Sequence, residues 1–270
     1  MIRKHYSCAT VPPGEGQSSP GRSILYMEMT TDFHTHVLPG IDDGSRDMEM
    51  TERMLQAEAE QGVSHVYATP HFYAHRRSIQ QFLERRERSY EKVRQLLERR
   101  QDLPKISVGA EVYYFNGMGR AEQLKDLCIQ GTDILLLEMP FDQWHSEQLK
   151  DVKDIINRQG LRVVLAHVER YEGLQKHRGV WEEMLSLPLT IQMNAGSLIT
   201  GFGSGMHARH TAKFCFDMLA AHDNCIIGTD CHNMTDRAPN LAQARQIIEK
   251  KAGQGRLPQL DEYTEHLLKT

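Results

Sequence analysis

The sequence predicts an α/β protein in which seven parallel strands alternate with helices and close into a barrel. Short apolar runs alternate with longer segments of helical periodicity seven times along the 270 residues. The short connections between them favour parallel strands joined by right-handed crossovers. Residues 134–137 and 163–166 are uninterrupted apolar runs, as expected for strands covered on both faces. An open parallel sheet would show the same alternation, but the barrel fits these observations better.

Each predicted strand is followed by a predicted helix. The helix over 47–61 ends at Gly62 and the helix over 146–159 ends at Gly160, a residue type common just after helix C-termini. The helix over 78–101 carries charges of alternating sign, which are typical of a solvated face. The other strands are predicted to lead into His34 and His36 and to lie at 63–69, 106–113, 133–139, 161–166, 189–194 and 224–229, with further helices at 120–128, 180–187, 207–221, 240–252 and 261–269.

The composition limits the class of protein. Residues 1–29 are rich in Pro, Gly and Ser, so we expect a flexible N-terminal tail followed by a single domain over 30–270. A formal net charge of -4 gives no basic excess that would indicate nucleic acid as a partner. The sequence shows no apolar run of membrane-spanning length and no signal peptide, so we expect a cytoplasmic protein without membrane insertion. The five cysteines are scattered, and we expect reduced thiols.

Histidines and acids recur where the predicted strands end. His34 and His36 alternate on the first strand, so their side chains point the same way and could share one metal ion. An isolated HxH is a weak signal, but a buried acid such as Glu138 is costly unless it is paired or metal-bound. In a parallel barrel all strand ends open on one face, so residues distant in sequence meet there. The candidates at these ends are His34, His36, His71, Glu111, Glu138, His167, Asp230 and His232.

This set of donor groups indicates a metal-dependent hydrolase. Nitrogen and carboxylate ligands without thiolates suit Mn²⁺, Fe²⁺ or Zn²⁺. The candidates outnumber the ligands of one ion, and a bridged metal cluster makes hydroxide from bound water while its charge holds phosphoryl oxygens. Arg170 and Arg237 follow His167 and His232 and could bind phosphate oxygens, although a surface salt bridge would explain each of them equally well. The predicted reaction is therefore hydrolysis of a phosphate ester.

Seven segments, in order, carry a resemblance to a known family. They are HTHVLPGIDDG (34–44), ATPH (68–71), GAEVYY (109–114), LLLEMP (135–140), AHVERY (166–171), QMNAGS (192–197) and TDCHN (229–233). Together they resemble the PHP (polymerase and histidinol phosphatase) superfamily. Within it, they are similar to the CpsB/CapC-type manganese-dependent protein tyrosine phosphatases of bacterial capsule and exopolysaccharide loci. The resemblance implies a distorted (β/α)₇ barrel with a trinuclear metal centre.

The same resemblance implies roles for individual residues. One ion would be held by His34, His36, Glu111 and Asp230, a second by Glu111 as a bridge with Glu138 and His167, and a third by Asp43, His71 and His232. Arg170 and Arg237 match the phosphate-binding arginines of the family. Every ligand position holds a residue able to coordinate, so nothing suggests an inactive copy. The implied metal is Mn²⁺, in up to three ions, with Fe²⁺ or Zn²⁺ as alternatives.

The resemblance also implies a substrate and a partner, namely phosphotyrosine on a membrane-bound bacterial tyrosine kinase that regulates polysaccharide export. Two alternatives keep the metal centre but act on a small molecule such as histidinol phosphate or on a nucleic-acid phosphodiester, and the net charge argues against the second. A third is a non-catalytic module that docks the kinase, for which we would expect gaps in the ligand set. The sequence shows no Cys-x₅-Arg loop, so Cys231 is predicted to pack facing away from the metals.

Two further features lie near the predicted site. Residues 201–205, GFGSG, are either a mobile loop over the site or a plain connector, and they do not match a phosphate-binding P-loop. Tyr73, Tyr113, Tyr114 and Phe202 could line a pocket for an aromatic ring, although aromatic residues on strands more often belong to the core.

Overall fold

The computed structural model describes residues 30–199 and 205–269. The predicted tail over 1–29 and residues 201–204 of the glycine-rich loop, including Phe202, lie outside the described residues. Within the described ranges, no helix combines the length and the apolar character needed to cross a lipid bilayer.

Parallel strands occupy seven positions around the centre of the fold. The strands are β1 (Thr30–Thr35), β2 (Val63–Ala68), β3 (His71–Phe72), β4 (Lys105–Val108), β5 (Glu111–Tyr113), β6 (Ile134–Glu138), β7 (Arg162–Leu165), β8 (Thr190–Asn194) and β9 (Cys225–Gly228). β3 continues β2 after an interruption at Pro70, and β5 continues β4 after Gly109 and Ala110. Hydrogen bonding therefore divides the strands into two sheets, ordered β1-β2-β4 and β3-β5-β6-β7-β8-β9.

The chain returns from β9 to β1 and so closes the barrel. Asp230 N donates to His34 O at 2.7 Å, and His36 N donates to Cys231 O at 2.9 Å. Thr35 and Cys231 form a parallel bridge between the two strand ends. The predicted seven-position barrel in a single domain is confirmed, and the closure places the ends of the first and last strands side by side.

Helices follow the strands and cover the outside of the barrel. They are α1 (Met48–Glu60), α2 (Ile79–Arg99), α3 (Ser146–Gln159), α4 (Arg178–Leu185), α5 (Ala195–Ile199), α6 (Met206–Ala221), α7 (Leu241–Ala252) and α8 (Arg256–Lys269). Two of the longer helices begin at N-capping residues. Asp47 accepts a hydrogen bond from Met50 N before α1, and Ser78 forms a reciprocal capping box with Gln81 before α2.

Two helix predictions differ from the structure, and one short helix was not predicted. The segment predicted as a helix over 120–128 forms two 3₁₀ turns, Met118–Arg120 and Glu122–Leu127, because Leu124 and Leu127 are buried on a segment too short for a regular amphipathic helix. α5 was not predicted, since five residues give no measurable periodicity. α8 begins five residues before the predicted start, at Arg256.

The apolar residues form two buried clusters separated by the strands. Successive strand residues face opposite sides, so Leu135 and Leu137 pack outward against the helices while Ile134 and Leu136 belong to a smaller cluster. This smaller cluster also contains Phe33 and other strand residues and fills the barrel interior. The polar side chains described next lie above this filled interior, at the carboxyl ends of the strands.

Candidate metal centre

All nine predicted metal ligands lie at the same end of the barrel. His71 and Glu111 begin the short continuing strands β3 and β5, and the others come from the carboxyl ends of strands or from the loops after them: His34, His36, Asp43, Glu138, His167, Asp230 and His232. His167 and Asp230 adopt positive φ angles of 32° and 53°. A non-glycine residue in such a conformation costs about 1–3 kcal/mol, and such residues cluster at functional sites. The sharp turns after β7 and β9 therefore occur at two predicted ligands.

Four side-chain atoms lie close together in one part of this centre. His34 Nε2 lies 3.2 Å from His36 Nε2, and Glu111 Oε2 lies 3.4 Å and 3.3 Å from these nitrogens. Asp230 Oδ1 completes the group at 3.6 Å and 3.4 Å from the same two nitrogens. Ligand atoms about 2.1 Å from a tetrahedral ion lie about 3.4 Å from one another. His34, His36 and Glu111 therefore have the spacing of ligands to one ion, and Asp230 lies beside both histidines.

The other oxygen of Glu111 faces a second group. Glu111 Oε1 lies 2.8 Å from His167 Nε2, and this nitrogen lies 3.5 Å from Glu138 Oε1. His71 Nδ1 also approaches, at 2.8 Å from Glu111 Oε2 and 3.8 Å from Glu138 Oε2. Because Glu111 presents one oxygen to each group, its carboxylate is placed to bridge two ions.

The second ring nitrogen of His71 faces a third group, nearer the surface. His71 Nε2 lies 3.5 Å and His232 Nε2 lies 3.6 Å from Asp43 Oδ1. The His232 ring also lies 3.8 Å from the ring of His36, measured between centroids, so this group adjoins the first. His71 thus stands between the second and third groups. The division of the nine residues among three ions remains a prediction.

Several buried polar atoms of these groups have close neighbours among the described residues but make no hydrogen bond of regular geometry. They include Glu111 Oε2, Glu138 Oε2, Asp230 Oδ1, His71 Nδ1 and His232 Nε2. Such atoms cost several kcal/mol unless a partner compensates for the lost water. A divalent cation would satisfy them together, and the nitrogen and oxygen donors suit such an ion. The residues therefore fit a bound metal.

Two carboxylates of the centre are held in the ionised form. Burial alone would raise the pKa of Glu111, but the neighbouring His34 and His71 hold it well below its ordinary value. Against the same effect of burial, His34 and His36 hold the pKa of Asp230 well below its ordinary value. The ionised carboxylate is the form that coordinates a metal, so both groups are ready to bind one.

Asp42, which the sequence analysis did not single out, orients two predicted ligands. Its Oδ2 atom accepts hydrogen bonds from His36 Nδ1 at 2.8 Å and from His71 N at 3.0 Å, while Oδ1 accepts from Gly44 N at 3.0 Å. This arrangement turns Nε2 of His36 towards the ligand group, as carboxylates behind metal-bound histidines do. Its place beside Asp43 is the sequence signal that could have found it.

Gln192 and Asn194, at the end of β8, hold ligands from three other strands. Gln192 Oε1 lies 3.2 Å from His34 Nδ1 and accepts from His167 N at 2.7 Å. Gln192 Nε2 donates to Asn194 Oδ1 at 3.0 Å, and Asn194 Nδ2 donates to Asp230 Oδ2 at 2.8 Å. Neither residue was among those predicted from the sequence to act at the site. Their alternation at a strand end, like that of an HxH pair, could have indicated one.

The two predicted phosphate-binding arginines both approach Asp230. Arg237 Nη2 lies 2.7 Å and Arg170 Nη1 lies 3.8 Å from Asp230 Oδ2. Arg170 also stacks over Phe141, with Cζ at 4.6 Å from the ring centroid. Their side chains are 36% and 44% exposed, so part of each guanidinium faces solvent beside the centre. This placement would let both bind an anion there, and their role in phosphate binding remains a prediction.

Cys231 lies between two predicted ligands in the sequence but faces a different part of the fold. It is fully buried, and its Sγ atom lies 3.7 Å from Glu58 Oε1 in α1. Burial raises the pKa of the thiol well above its ordinary value, and Glu58 and Asp32 act in the same direction. A protonated and inaccessible thiol is a poor nucleophile. The prediction that Cys231 is a packing residue is confirmed.

The predicted aromatic residues divide between the site and the core. The Tyr73 ring lies 5.2 Å from the His71 ring and 5.5 Å from the Tyr113 ring, so both tyrosines border the centre. Tyr114 is buried, and its hydroxyl donates to Asp151 at 2.8 Å. Tyr114 therefore has a structural role, whereas Tyr73 and Tyr113 are available at the rim.

Comparison with known proteins decides the family. The family model described as capsular polysaccharide synthesis, CpsB/CapC, matches residues 30–266. The chain belongs to the CpsB/CapC family. The resemblance found in the seven sequence segments is confirmed.

Relatives of this CpsB/CapC-family chain extend over most of its length. The tyrosine-protein phosphatase YwqE of Bacillus subtilis is 28% identical over 247 residues, covering 88% of this chain and 91% of the relative. The tyrosine-protein phosphatase CpsB of Streptococcus pneumoniae is 24% identical over 227 residues, covering 82% and 90%. The putative tyrosine-protein phosphatase CapC of Staphylococcus aureus is 24% identical over 226 residues, covering 78% and 80%.

A solved structure supports the fold of this family member. It comes from work on YwqE of Bacillus subtilis and CpsB of Streptococcus pneumoniae, described as unique metal-dependent tyrosine phosphatases. It superposes with a TM-score of 0.74 at 22% sequence identity and covers 88% of this chain and 94% of the solved one. The two chains therefore share the same barrel architecture.

Proposed function

We propose that this CpsB/CapC-family protein is a metal-dependent protein tyrosine phosphatase that removes phosphate from phosphotyrosine in proteins. The observation that best supports this proposal is that Glu111 presents one oxygen to each of two ligand groups at the open end of the barrel. Metal clusters bridged in this way are a common means of phosphate ester hydrolysis. The relatives from Streptococcus pneumoniae and Bacillus subtilis are both named tyrosine-protein phosphatases, which supports the substrate.

The nine predicted ligands would hold the metals, with Mn²⁺ as the proposed ion and three as the proposed number. When bound, the ions supply a hydroxide nucleophile at neutral pH and positive charge for the phosphoryl oxygens. The buried oxygens of Glu111, Glu138 and Asp230 provide the negative charge that retains them. Sulfur ligands are absent from the proposed set, which favours Mn²⁺ or Fe²⁺ over ions that prefer thiolates.

The protein's own side chains orient the substrate and the ligands. Arg170 and Arg237 would donate hydrogen bonds to phosphate oxygens from the exposed side of Asp230. Asp230 Oδ2 is engaged by Arg237 and Asn194, which leaves Oδ1 directed at the ligand group. Tyr73 and Tyr113 at the rim would pack against the tyrosine ring of the substrate. The arginines would thus hold the phosphoryl group and the tyrosines the ring, so that the substrate is fixed in position at the metal centre.

The proposed partner is a membrane-bound bacterial tyrosine kinase that regulates capsule or exopolysaccharide synthesis, and the proposed location is the cytoplasm. The match to the capsular polysaccharide synthesis family supports this setting. This proposal requires the phosphotyrosines of the kinase to lie on the cytoplasmic side of the membrane.

The test compares hydrolysis of a phosphotyrosine peptide, the same peptide with phosphoserine, and histidinol phosphate. Each is measured with added Mn²⁺, with chelator, and with the His34→Ala variant. We expect hydrolysis of the phosphotyrosine peptide that is lost with chelator and in the variant. Preference for histidinol phosphate would overturn the substrate, and failure to hydrolyse any phosphomonoester with Mn²⁺ restored would favour a non-catalytic docking module.

A further inference from the structure

A pocket opens beside the metal centre, where the chain passes from β3 towards α2. It has a volume of about 280 Å³ and is lined in part by Asp43, His71, Tyr73, Arg76 and Arg77. Asp43 and His71 belong to the proposed ligand set, so the pocket is continuous with the metal centre. The two arginines bring positive charge to its lining.

Tyr73 holds one of these arginines in place. The Arg76 guanidinium lies 4.5 Å from the centroid of the Tyr73 ring, and the same ring lies 5.2 Å from the ring of His71. Stacking of this kind restricts an otherwise flexible side chain. Arg76 therefore loses less conformational entropy when it binds an anion. Arg76 is exposed to solvent and remains open to a ligand.

The acids near the pocket are already engaged by histidines. Asp42 binds the Nδ1 atom of His36, and Asp43 lies against His71 and His232. Across the described parts of the chain, neither arginine of the pocket has an acidic partner within ion-pair distance. The pocket is thus lined by two acids that contact histidines and by two arginines that have no acidic partner among the described residues.

A third arginine adds to the positive charge. Arg85 in α2 donates to Gly40 O at 3.2 Å, on the loop that also carries Asp43. Burial lowers the pKa of Arg77, and the nearby Arg85 and Arg76 lower it further by repulsion. A bound anion would relieve that repulsion, so the pocket is suited to a negatively charged group.

We propose that this pocket is a specificity subsite for a carboxylate side chain that flanks the phosphotyrosine of the substrate, with Arg76 and Arg77 as its binding groups. The inference rests on the proposed function and extends it to the sequence around the target tyrosine. The phosphoryl group itself belongs to the metals, Arg170 and Arg237. The pocket adjoins the metal centre through Asp43 and His71, so a residue next to the phosphotyrosine in the same peptide is within reach of it.

The experiment uses three phosphotyrosine peptides of equal length, with Glu, Ala or Lys on both sides of the phosphotyrosine. Values of kcat and KM are measured with Mn²⁺ for the full chain, for the double variant Arg76→Ala/Arg77→Ala, and for Arg76→Lys/Arg77→Lys. Arg158→Ala serves as the matched control, because Arg158 lies in the last turn of α3, at the opposite end of the barrel.

We expect the unaltered protein to favour the Glu peptide over the Ala peptide by about 5- to 20-fold in kcat/KM, mainly through KM, as a charge-assisted contact allows. The double alanine variant should bring this ratio close to one, the lysine variant should keep part of it, and Arg158→Ala should leave it unchanged. The Lys peptide should be the poorest substrate of the unaltered protein and should gain in the alanine variant.

Two results would overturn the subsite. One is equal kcat/KM for all three peptides with the unaltered protein. The other is an equal loss of kcat/KM for all three peptides in the alanine variant. That result would mean that the arginines bind the phosphoryl group, which all three peptides share, or stabilise the fold. Failure of the unaltered protein to hydrolyse any of the peptides with Mn²⁺ would instead contradict the proposed function, and the subsite would fall with it.

Discussion

Asp42 shows how one carboxylate can control two histidines of the metal centre. Replacing it in Asp42→Asn keeps the shape but removes the charge that fixes His36 Nδ1 as a donor at 2.8 Å. We expect the affinity for Mn²⁺ to fall by about 10- to 100-fold, as is typical when the partner of a metal-bound histidine is changed. Titration calorimetry on metal-free protein measures this directly.

The control for this variant is Asp126→Asn, which removes an exposed carboxylate in a 3₁₀ turn far along the chain from any predicted ligand. It should leave the affinity for Mn²⁺ unchanged. An Asp42→Asn protein with the affinity of the unaltered protein would mean that His36 does not depend on this hydrogen bond for its orientation.

At the scale of residues, the sequence predicted ligands better than it predicted the residues that orient them. His34 and Glu111 could be found because a histidine or acid at a strand end is unusual and the position repeats from strand to strand. Asp42 and Gln192 act through hydrogen bonds to residues brought close by the fold. Polar residues of these types are common in loops and at strand ends, so the sequence alone did not separate them from ordinary surface groups.

The contact between β1 and β9 depends on a residue without a side chain. A Cβ atom on Gly228 would lie 2.7 Å from His34 Cβ and 3.1 Å from His34 N. We expect Gly228→Ala to push the two strands apart, to lower the free energy of unfolding by about 1–3 kcal/mol and to weaken Mn²⁺ binding through His34. Urea unfolding and metal titration measure the two effects.

Gly179→Ala is the matched control at this scale. Gly179 lies in α4, and a Cβ atom added there would meet no atom within 4 Å. Alanine should stabilise this helix by about 0.5–1 kcal/mol and leave metal binding unchanged. If Gly228→Ala behaved like Gly179→Ala, the close approach of β9 to His34 would not be a constraint on the metal centre.

At the scale of elements, the sequence predicted long helices and buried strands well and interrupted elements poorly. The strand predicted over 106–113 is divided into β4 and β5 at Gly109, where a Cβ atom would collide with Ile129 at 2.4 Å. That constraint comes from a segment about twenty residues later in the chain, so local periodicity gave no sign of it. The break matters for function, because Glu111 begins the second piece.

At the scale of the whole molecule, we propose that residues 30–270 form the domain and that residues 1–29 are dispensable for it. The family model begins its match at residue 30, which supports this boundary. A chain beginning at Met29 should unfold within about 2 °C of the full chain and hydrolyse a phosphotyrosine peptide with the same kcat/KM. Differential scanning calorimetry and steady-state kinetics test both expectations, and a loss in either would place the N-terminal residues in the folded domain.

The whole molecule accounts for the site in a way that no single element does. β1 and β9 meet only because the barrel closes, and this closure brings His34 and Asp230 into one ligand group. The sequence predicted that closure from the alternation of strands and helices and from the resemblance of its motifs. The meeting of His34 and Asp230 where β1 contacts β9 follows from this closure, whereas the distances between their atoms come only from the structure.

Phosphotyrosine hydrolysis is proposed to depend on metals held at the strand ends. The most direct test adds Mn²⁺ stepwise to metal-free protein while phosphate release from a phosphotyrosine peptide and the number of bound ions are recorded together, for the unaltered chain and for Glu111→Gln. We expect activity that rises with the bound ions, reaches its plateau at no more than three per chain, and is lost in the variant because Glu111 faces two ligand groups. Full activity without metal, or in the Glu111→Gln protein, would contradict hydrolysis by metals held at this site.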